Sequence, residues 1–214
     1  MTSRLRLAAT LSALVLLAGC TDSPVVTRSA APPATTSSAP SVGRAPDSSG
    51  LAPAKRSAGI ADCPTSDPEV PAVSDGLPDA VLACLGGGRP VRLAGLRGRP
   101  MIINVWAQWC GPCRQEAPFL AAVADDSRTD LLVLGIDHQD LDPAAALEFA
   151  RSAGWTYPQL QDRDQVLRSG LRVTALPVTF FVRADGTIAH RNFVPFTSAD
   201  QIRLMAEQHL GVRP

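Results

Sequence analysis

Two cysteines three positions apart, Cys110 and Cys113, directly follow a short apolar run and constrain this chain more than any other feature. The run, MIINVWA at residues 101–107, is typical of a strand that is buried on both faces. Pro112 suits the first turn of a helix, because its missing N–H is not needed there. The pattern therefore predicts a buried strand, a tight junction that carries Cys110, and a helix that starts at this junction.

The start of a helix is a special environment for a thiol. Unpaired backbone N–H groups and the positive end of the helix dipole favour a thiolate over a thiol. We expect Cys110 to be the nucleophile, because it lies nearest the helix end. Cys113 lies one turn inside the helix, and we expect it to be the more buried of the two.

The rest of the folded part alternates between strand and helix patterns. We expect strands at 91–96, 131–136, 178–182 and 187–192, a helix at 143–153, and a last helix from an N-cap in 197–200 to Gly211. This order predicts an α/β fold, with a central mixed sheet flanked by helices on both faces.

The motif and its context together resemble a known family. NVWAQWCGPCRQEAP, followed about sixty residues later by ALPVTFFV, resembles the thioredoxin superfamily, and most of all its exported branch of TlpA-, ResA- and DsbE-like proteins. The resemblance spans about residues 91–211 and implies a thioredoxin-like fold. It also implies a two-step exchange, in which the Cys110 thiolate attacks a substrate disulfide and Cys113 then releases the substrate. In reverse, the same pair donates a disulfide, and the sequence leaves the direction open.

The resemblance also implies a substrate-binding surface around the cysteines. Pro177 resembles the cis-proline of this family, and Leu176 would offer its backbone groups to an extended substrate strand. A trans proline that merely starts a strand is the alternative. Trp109, Gly111 and Pro112 complete the expected substrate-binding set.

Glu116 is a further candidate for the catalytic set. It stands three residues after Cys113 and so on the same helical face, and the matching glutamate of ResA-like proteins is associated with proton handling. The alternative is a solvated helix carboxylate. Asn104 stands where cytosolic thioredoxins usually carry a buried aspartate, which puts more weight on Glu116.

The first residues indicate export. Arg4 and Arg6 precede an uncharged stretch at 7–18, which is shorter than the roughly 20 residues that span a bilayer and is typical of a signal peptide. It ends in LAGC, which resembles the bacterial lipoprotein box and marks Cys20 as the lipidated residue. A simple signal peptide with an incidental cysteine, or an uncleaved anchor, is the alternative.

The chain thus divides into three parts by composition. We expect a lipoprotein signal peptide at 1–19, a lipidated disordered tether at 20–59 that is rich in Ser, Thr, Ala and Pro, and a thioredoxin-like domain at 60–214. This division predicts an extracytoplasmic protein that is anchored to the cell membrane by lipid.

Cys63 and Cys84 remain once the other three cysteines are assigned. They precede the redox motif in a region with little core of its own, and we interpret them as a structural disulfide. Closing a loop of this size stabilises a fold by about 3 kcal/mol in the chain-entropy model. The alternative is a second redox pair that relays electrons to Cys110 and Cys113.

Charge and ligand patterns exclude several other classes. The 20 basic and 20 acidic residues give no excess of positive charge, which a nucleic-acid-binding protein would need. We expect no metal and no cofactor, since a zinc site normally needs four ligands and a haem attachment would need histidine in place of Arg114. His138, His190 and His209 share no metal-like or triad-like spacing, so we expect each to be a surface or core residue.

The function predicted from these patterns is thiol-disulfide exchange. The expected partners are thiols or disulfides of exported proteins, including apocytochrome c thiols as for several TlpA-like relatives, and a membrane protein that recycles the cysteine pair. A redox-inert binding or metal-delivery lipoprotein is the alternative, and a peroxidase is a weaker one.

Overall fold

A mixed sheet forms the centre of the molecule. The structure is a computed structural model that describes residues 48–126 and 131–214. The seven strands described are β1 (Val81–Cys84), β2 (Val91–Arg92), β3 (Met101–Trp106), β4 (Leu132–His138), β5 (Gln159–Asp162), β6 (Val178–Val182) and β7 (Ile188–Asn192). Their order across the sheet is β2-β1-β5-β4-β3-β6-β7.

Five α-helices and two short 3₁₀ turns accompany this sheet in the described residues. The helices are α1 (Ala52–Ser57), α2 (Gly111–Asp126), α3 (Pro143–Ser152), α4 (Val166–Gly170) and α5 (Ala199–Leu210), and the 3₁₀ turns are Ser49–Leu51 and Leu93–Gly95. In the described part of the chain, no helix has the length and apolar character needed to cross a membrane.

The helices lie on both faces of the sheet, as expected, but unevenly. Strands β3, β4 and β5 are parallel neighbours in chain order, and β6 and β7 continue the sheet antiparallel to β3. Since such crossovers are right-handed, α2 and α3 both cover the same face. Helix α5 packs there too, whereas the short α4 contributes to the other face.

Two hydrophobic cores result, one on each face. The α2-side core contains Trp106, Leu120, Trp155 and Phe181, and the α4-side core contains Ile103, Leu134, Leu160, Leu167 and Phe180. Every residue of β3 and β4 is buried, which confirms the prediction of strands buried on both faces.

The expected end of the tether at residue 59 is wrong. Residues 48–59 contain a 3₁₀ turn and helix α1, and they pack against the domain. The Ser48 hydroxyl donates to the carbonyl of Cys84 (3.3 Å) and accepts the Gly86 N–H (3.1 Å), so this segment gains partners from the turn after β1. The signal peptide, Cys20 and the remaining tether lie outside the described residues.

The expected strand at 91–96 is also shorter than predicted. It ends after Arg92, because the chain turns at Leu93–Gly95, where the Leu96 N–H donates to the carbonyl of Leu93. Gly95 packs directly against the backbone of Asp67, where a Cβ atom would overlap, and this close approach fixes the turn.

Candidate active site

The loop before Cys110 is held in place from two sides. Strand β3 ends at Trp106, and the Cys110 N–H donates to the carbonyl of Ala107 (3.1 Å) to close a tight turn. The Gln108 N–H donates to Asp140 Oδ2 (2.9 Å), and Arg114 Nε donates to the Gln108 carbonyl (2.9 Å). Contacts from the loop after β4 and from α2 thus fix the approach to the motif.

Cys110 and Cys113 form a disulfide at the start of α2. The backbone N–H of Cys113 donates to Cys110 Sγ over 3.2 Å. An amide of the first helical turn therefore points at the sulfur that the sequence identifies as the nucleophile. The same N–H can stabilise negative charge on that sulfur once the disulfide opens.

A cleft of about 380 Å³ gives access to one of the two cysteines. Cys110 lines it and Cys113 does not. Trp109 lies at its rim with 54% of its surface exposed. The other expected binding residues on the cleft wall are Gly111, Pro112 and Leu176.

The Leu176–Pro177 peptide bond is cis, as the resemblance predicted. Pro177 itself is buried behind the cleft wall, and Leu176 is half-buried. The trans alternative is therefore wrong. The structure brings this bond to the same cleft as Cys110, although the two lie more than sixty residues apart in sequence.

Glu116 is buried within α2 and is not a solvated carboxylate. Only 1% of its surface is exposed. Its Oε1 accepts from Asn104 Nδ2 (2.8 Å) and its Oε2 accepts from the Phe196 N–H (3.0 Å). Burial raises the pKa of Glu116 to about 7, although both hydrogen bonds oppose this shift. A carboxyl group that titrates near neutral pH thus stands one helical turn after Cys113.

Asn104 links Glu116 to the sheet. Its Nδ2 also donates to Thr179 Oγ1 (3.0 Å) on β6, while its Oδ1 has no partner among the described residues. The three side chains project from β3, α2 and β6. The residue that departs from cytosolic thioredoxins is therefore the direct partner of Glu116.

A second set of buried polar side chains, at the ends of β4 and β5, was not predicted from the sequence. Burial, followed by the charges of Asp140 and Asp162, raises the pKa of Asp137 well above its ordinary value. His138 is buried, lines the cleft and pairs through Nδ1 with Asp162 Oδ2 (2.7 Å). The available signal was the position of His138 and Asp162 at the ends of β4 and β5, since the carboxyl ends of parallel neighbours meet.

A buried tryptophan and the second cysteine pair complete the surroundings of the site. Trp106 is fully buried and donates to Gln159 Oε1 (3.0 Å), so it is a core residue. Cys63 and Cys84 are joined in a disulfide, which confirms their pairing. Among residues 48–126 and 131–214, no three His, Cys, Asp or Glu side chains converge as metal ligands would.

Comparisons with known proteins agree with this geometry. The profile of the AhpC/TSA family matches residues 73–191. The thiol:disulfide interchange protein DsbE of Pseudomonas fluorescens biotype C is 37% identical over 108 residues, which are 50% of this chain and 58% of that protein. The thiol-disulfide oxidoreductase ResA of Geobacillus thermodenitrificans is 31% identical over 120 residues, which are 55% of this chain and 67% of that protein.

A solved structure is also similar. A secreted disulfide oxidoreductase of Mycobacterium tuberculosis, homologous to the DsbE of E. coli, matches with a TM-score of 0.52 and 28% identity, over 58% of this chain and 91% of that chain. The chain spans less than two thirds of the length of the Pseudomonas relative. The thioredoxin-like fold and the ResA- and DsbE-like branch expected from the sequence are confirmed.

The burial of Glu116 predicts a pH-dependent stability. Its folded pKa of about 7 lies above the ordinary 4.5, so the folded protein retains a proton that the unfolded chain releases. Stability should therefore fall as the pH rises from about 4.5 to 7, by up to about 3 kcal/mol. Glu116→Gln removes this share of the loss and leaves the share of Asp137, whose pKa is also raised, and denaturant unfolding of the oxidised proteins at pH 4 and pH 8 measures the difference.

A matched control for this experiment is Glu207→Gln, which changes an exposed carboxylate on α5. It should keep the pH dependence of the wild type. If Glu116→Gln also kept that dependence, the buried carboxyl group would not be its source.

Proposed function

The chain belongs to the AhpC/TSA family, and we propose that it is a thiol-disulfide oxidoreductase that exchanges disulfides through Cys110 and Cys113. The observation that carries this proposal is the N–H of Cys113, which points at Cys110 Sγ in a cleft that reaches only that cysteine. A sulfur whose negative charge is stabilised in this way can attack a substrate disulfide as a thiolate. It can also leave a mixed disulfide as a thiolate, and disulfide exchange needs both steps.

The reaction follows from the positions of the two sulfurs. In the reductive direction, the Cys110 thiolate attacks one sulfur of a substrate disulfide, and the other substrate sulfur leaves as a thiolate that takes a proton. Cys113 then loses its proton and attacks Cys110 Sγ, which closes the disulfide and releases the second substrate thiolate. Once this second thiolate is also protonated, the substrate has gained two electrons and two protons, and the cysteine pair, counted from its dithiol form, has lost them.

Glu116 is suited to accept the proton that Cys113 loses. It lies three residues further along α2, is enclosed, and has a pKa of about 7, so both of its protonation states are accessible at neutral pH. Its bonds to Asn104 and to the Phe196 backbone hold the carboxyl group in one place. We assign it the role of proton acceptor in the second step.

The cleft fits an extended peptide segment that carries a cysteine. The exposed ring of Trp109 offers an apolar platform, and the half-buried Leu176 lines the opposite chain segment of the same cleft. A segment that lies across them would place its sulfur over Cys110. The substrates we propose are cysteine pairs of exported proteins, with the CxxC segment of apocytochrome c as one example.

Two cysteine variants test this function. Cys110→Ser should reduce insulin or model-disulfide turnover to the uncatalysed rate, because the attacking sulfur is absent. Cys113→Ser should instead accumulate a mixed disulfide with a CxxCH peptide disulfide, because the resolving sulfur is absent. Turnover by absorbance and adducts by mass spectrometry measure the two effects.

Gln115→Ser provides the control, since Gln115 is an exposed residue in the same helical turn. This variant should turn over at the wild-type rate. Turnover that survived Cys110→Ser would contradict the exchange mechanism and would favour a binding protein.

We also propose a location at the outer face of the cell membrane, with lipid on Cys20. The support is the sequence: two arginines, an uncharged stretch too short to span a bilayer, and LAGC at residues 17–20. The segment between Cys20 and the folded residues would hold the domain away from the membrane. A membrane redox protein would then recycle the cysteine pair.

The anchor is tested by changing Cys20 to serine. The variant should lose palmitate labelling and move from the membrane fraction to the soluble fraction, because its only lipid is removed. Thr21→Ser is the matched control and should remain in the membrane fraction with its label. Membrane retention of Cys20→Ser at the wild-type level would show that another segment holds the protein there.

A further inference from the structure

Lys55 is the only lysine of the 214 residues, and it is buried. It lies in α1, where only 3% of its surface is exposed, while its neighbours Ala54 and Arg56 face solvent. An ammonium group is costly to bury without partners. The partners of Lys55 Nζ are Cys84 Sγ, the Gly87 carbonyl and Asp62 Oδ1, each at 3.2 Å.

The turn after β1 is shaped around this ammonium group. Gly86, Gly87 and Gly88 all have positive φ values, of 76°, 89° and 122°. A Cβ atom on Gly86 would lie 2.9 Å from the Lys55 side chain, and one on Gly88 would lie 3.4 Å from Cys84 Sγ. The backbone thus wraps closely around both the lysine and the sulfur, as only glycine allows.

The Cys63–Cys84 disulfide is therefore asymmetric. Cys84 is 3% exposed and has the ammonium group against its sulfur, whereas Cys63 is half-buried and has the carbonyl of Gln159 as its neighbour. A nearby cation stabilises a thiolate and makes that sulfur the better leaving group. Asp62 offsets part of the charge, but its side chain is 96% exposed and is screened by solvent.

We propose that Cys63–Cys84 is a second redox-active disulfide, in which Lys55 stabilises Cys84 as the leaving thiolate. An external thiolate attacks Cys63 Sγ and forms a mixed disulfide, while the Cys63–Cys84 bond breaks and leaves its electron pair on Cys84, beside Lys55. A second thiolate of the co-reactant then attacks the mixed disulfide and releases Cys63, which takes a proton. The co-reactant loses two electrons and becomes a disulfide.

This pair does not exchange directly with Cys110–Cys113. Strand β1 is separated from β3 by β5 and β4, so three steps of about 4.8 Å place Cys84 about 14 Å from β3. A disulfide needs Cα atoms within about 7 Å of each other. Cys63 also packs against the α4-side core, whereas Cys110 and Cys113 belong to the α2-side core. The co-reactant is therefore a separate thiol molecule.

A redox titration of the full-length chain tests this site. Wild type, Lys55→Met, Lys55→Arg and Arg56→Met are equilibrated in mixtures of reduced and oxidised glutathione, quenched in acid and alkylated in two steps. Peptide mapping then gives a separate curve for each disulfide. Lys55→Met should need about a tenfold more reducing mixture to open Cys63–Cys84, which is about 30 mV for a two-electron couple.

The controls separate charge from structure. Lys55→Arg keeps the charge, and Arg56→Met removes an exposed charge from the same helix, so both should titrate within about twofold of wild type. The Cys110–Cys113 curve should stay unchanged in all four proteins. The proposal therefore stands or fails independently of the activity of that pair.

Two further measurements serve if Lys55→Met does not fold. Asp62→Asn removes the competing carboxylate and should open Cys63–Cys84 in a less reducing mixture. In the wild type, trapped glutathione should be found on Cys63. The proposal is overturned if glutathione is found on Cys84, if Lys55→Met titrates with the wild type, or if the bond opens only as circular dichroism reports unfolding.

Discussion

The site depends on one hydrogen bond, from the N–H of Cys113 to Cys110 Sγ. This contact forms because only a short loop connects the end of β3 at Trp106 to the start of α2 at Gly111. All residues of β3 are buried between parallel β4 and antiparallel β6, and Asp140 and Arg114 hold the loop that follows. The sulfur is thus positioned by rigid elements, and the helix supplies the amide that stabilises its charge.

Two carboxyl groups are buried in the core around this site, although burying a charged group is unfavourable. Glu116 and Asp137 are both buried carboxyl groups with raised pKa values. Glu116 has two donors that hold it, whereas Asp137 has no partner among the described residues. Such groups cost stability, and the one that lies a helical turn after Cys113, Glu116, is typical of a site that moves protons.

Much of the fold could be predicted from the sequence, because the decisive patterns are local. The run MIINVWA, the strand VTFFV and the caps of α5 depend on neighbours within a few residues, and the structure has them where expected. Strands β1 and β5 and helices α1 and α4 were missed. Gln159–Asp162 has the sequence QLQD, and its polar residues are buried although the pattern is not apolar. Gln159 and Asp162 have partners on other strands, Trp106 and His138, whereas the Gln161 side chain has none among the described residues. Helix α1 likewise depends on a turn about thirty residues away.

The same distinction applies to the site. The cysteines, the cis-proline and Glu116 follow from a motif and a resemblance, whereas the bonds of Asn104 to Glu116 and of Lys55 to Cys84 need the packed structure. A lysine in a Pro- and Ala-rich stretch gives no sign that it will meet a disulfide. Long-range polar contacts are set by topology, and a single sequence does not display them.

The most direct test of the account is the order in which the reduced cysteines react. The reduced chain is treated with a substoichiometric amount of iodoacetamide at neutral pH, and the modified cysteines are identified by peptide mapping. Cys110 should be alkylated first while Cys113 remains free, because only Cys110 lines the cleft and accepts the helix amide. Alkylation of Cys113 first, or of both at equal rates, would contradict the account.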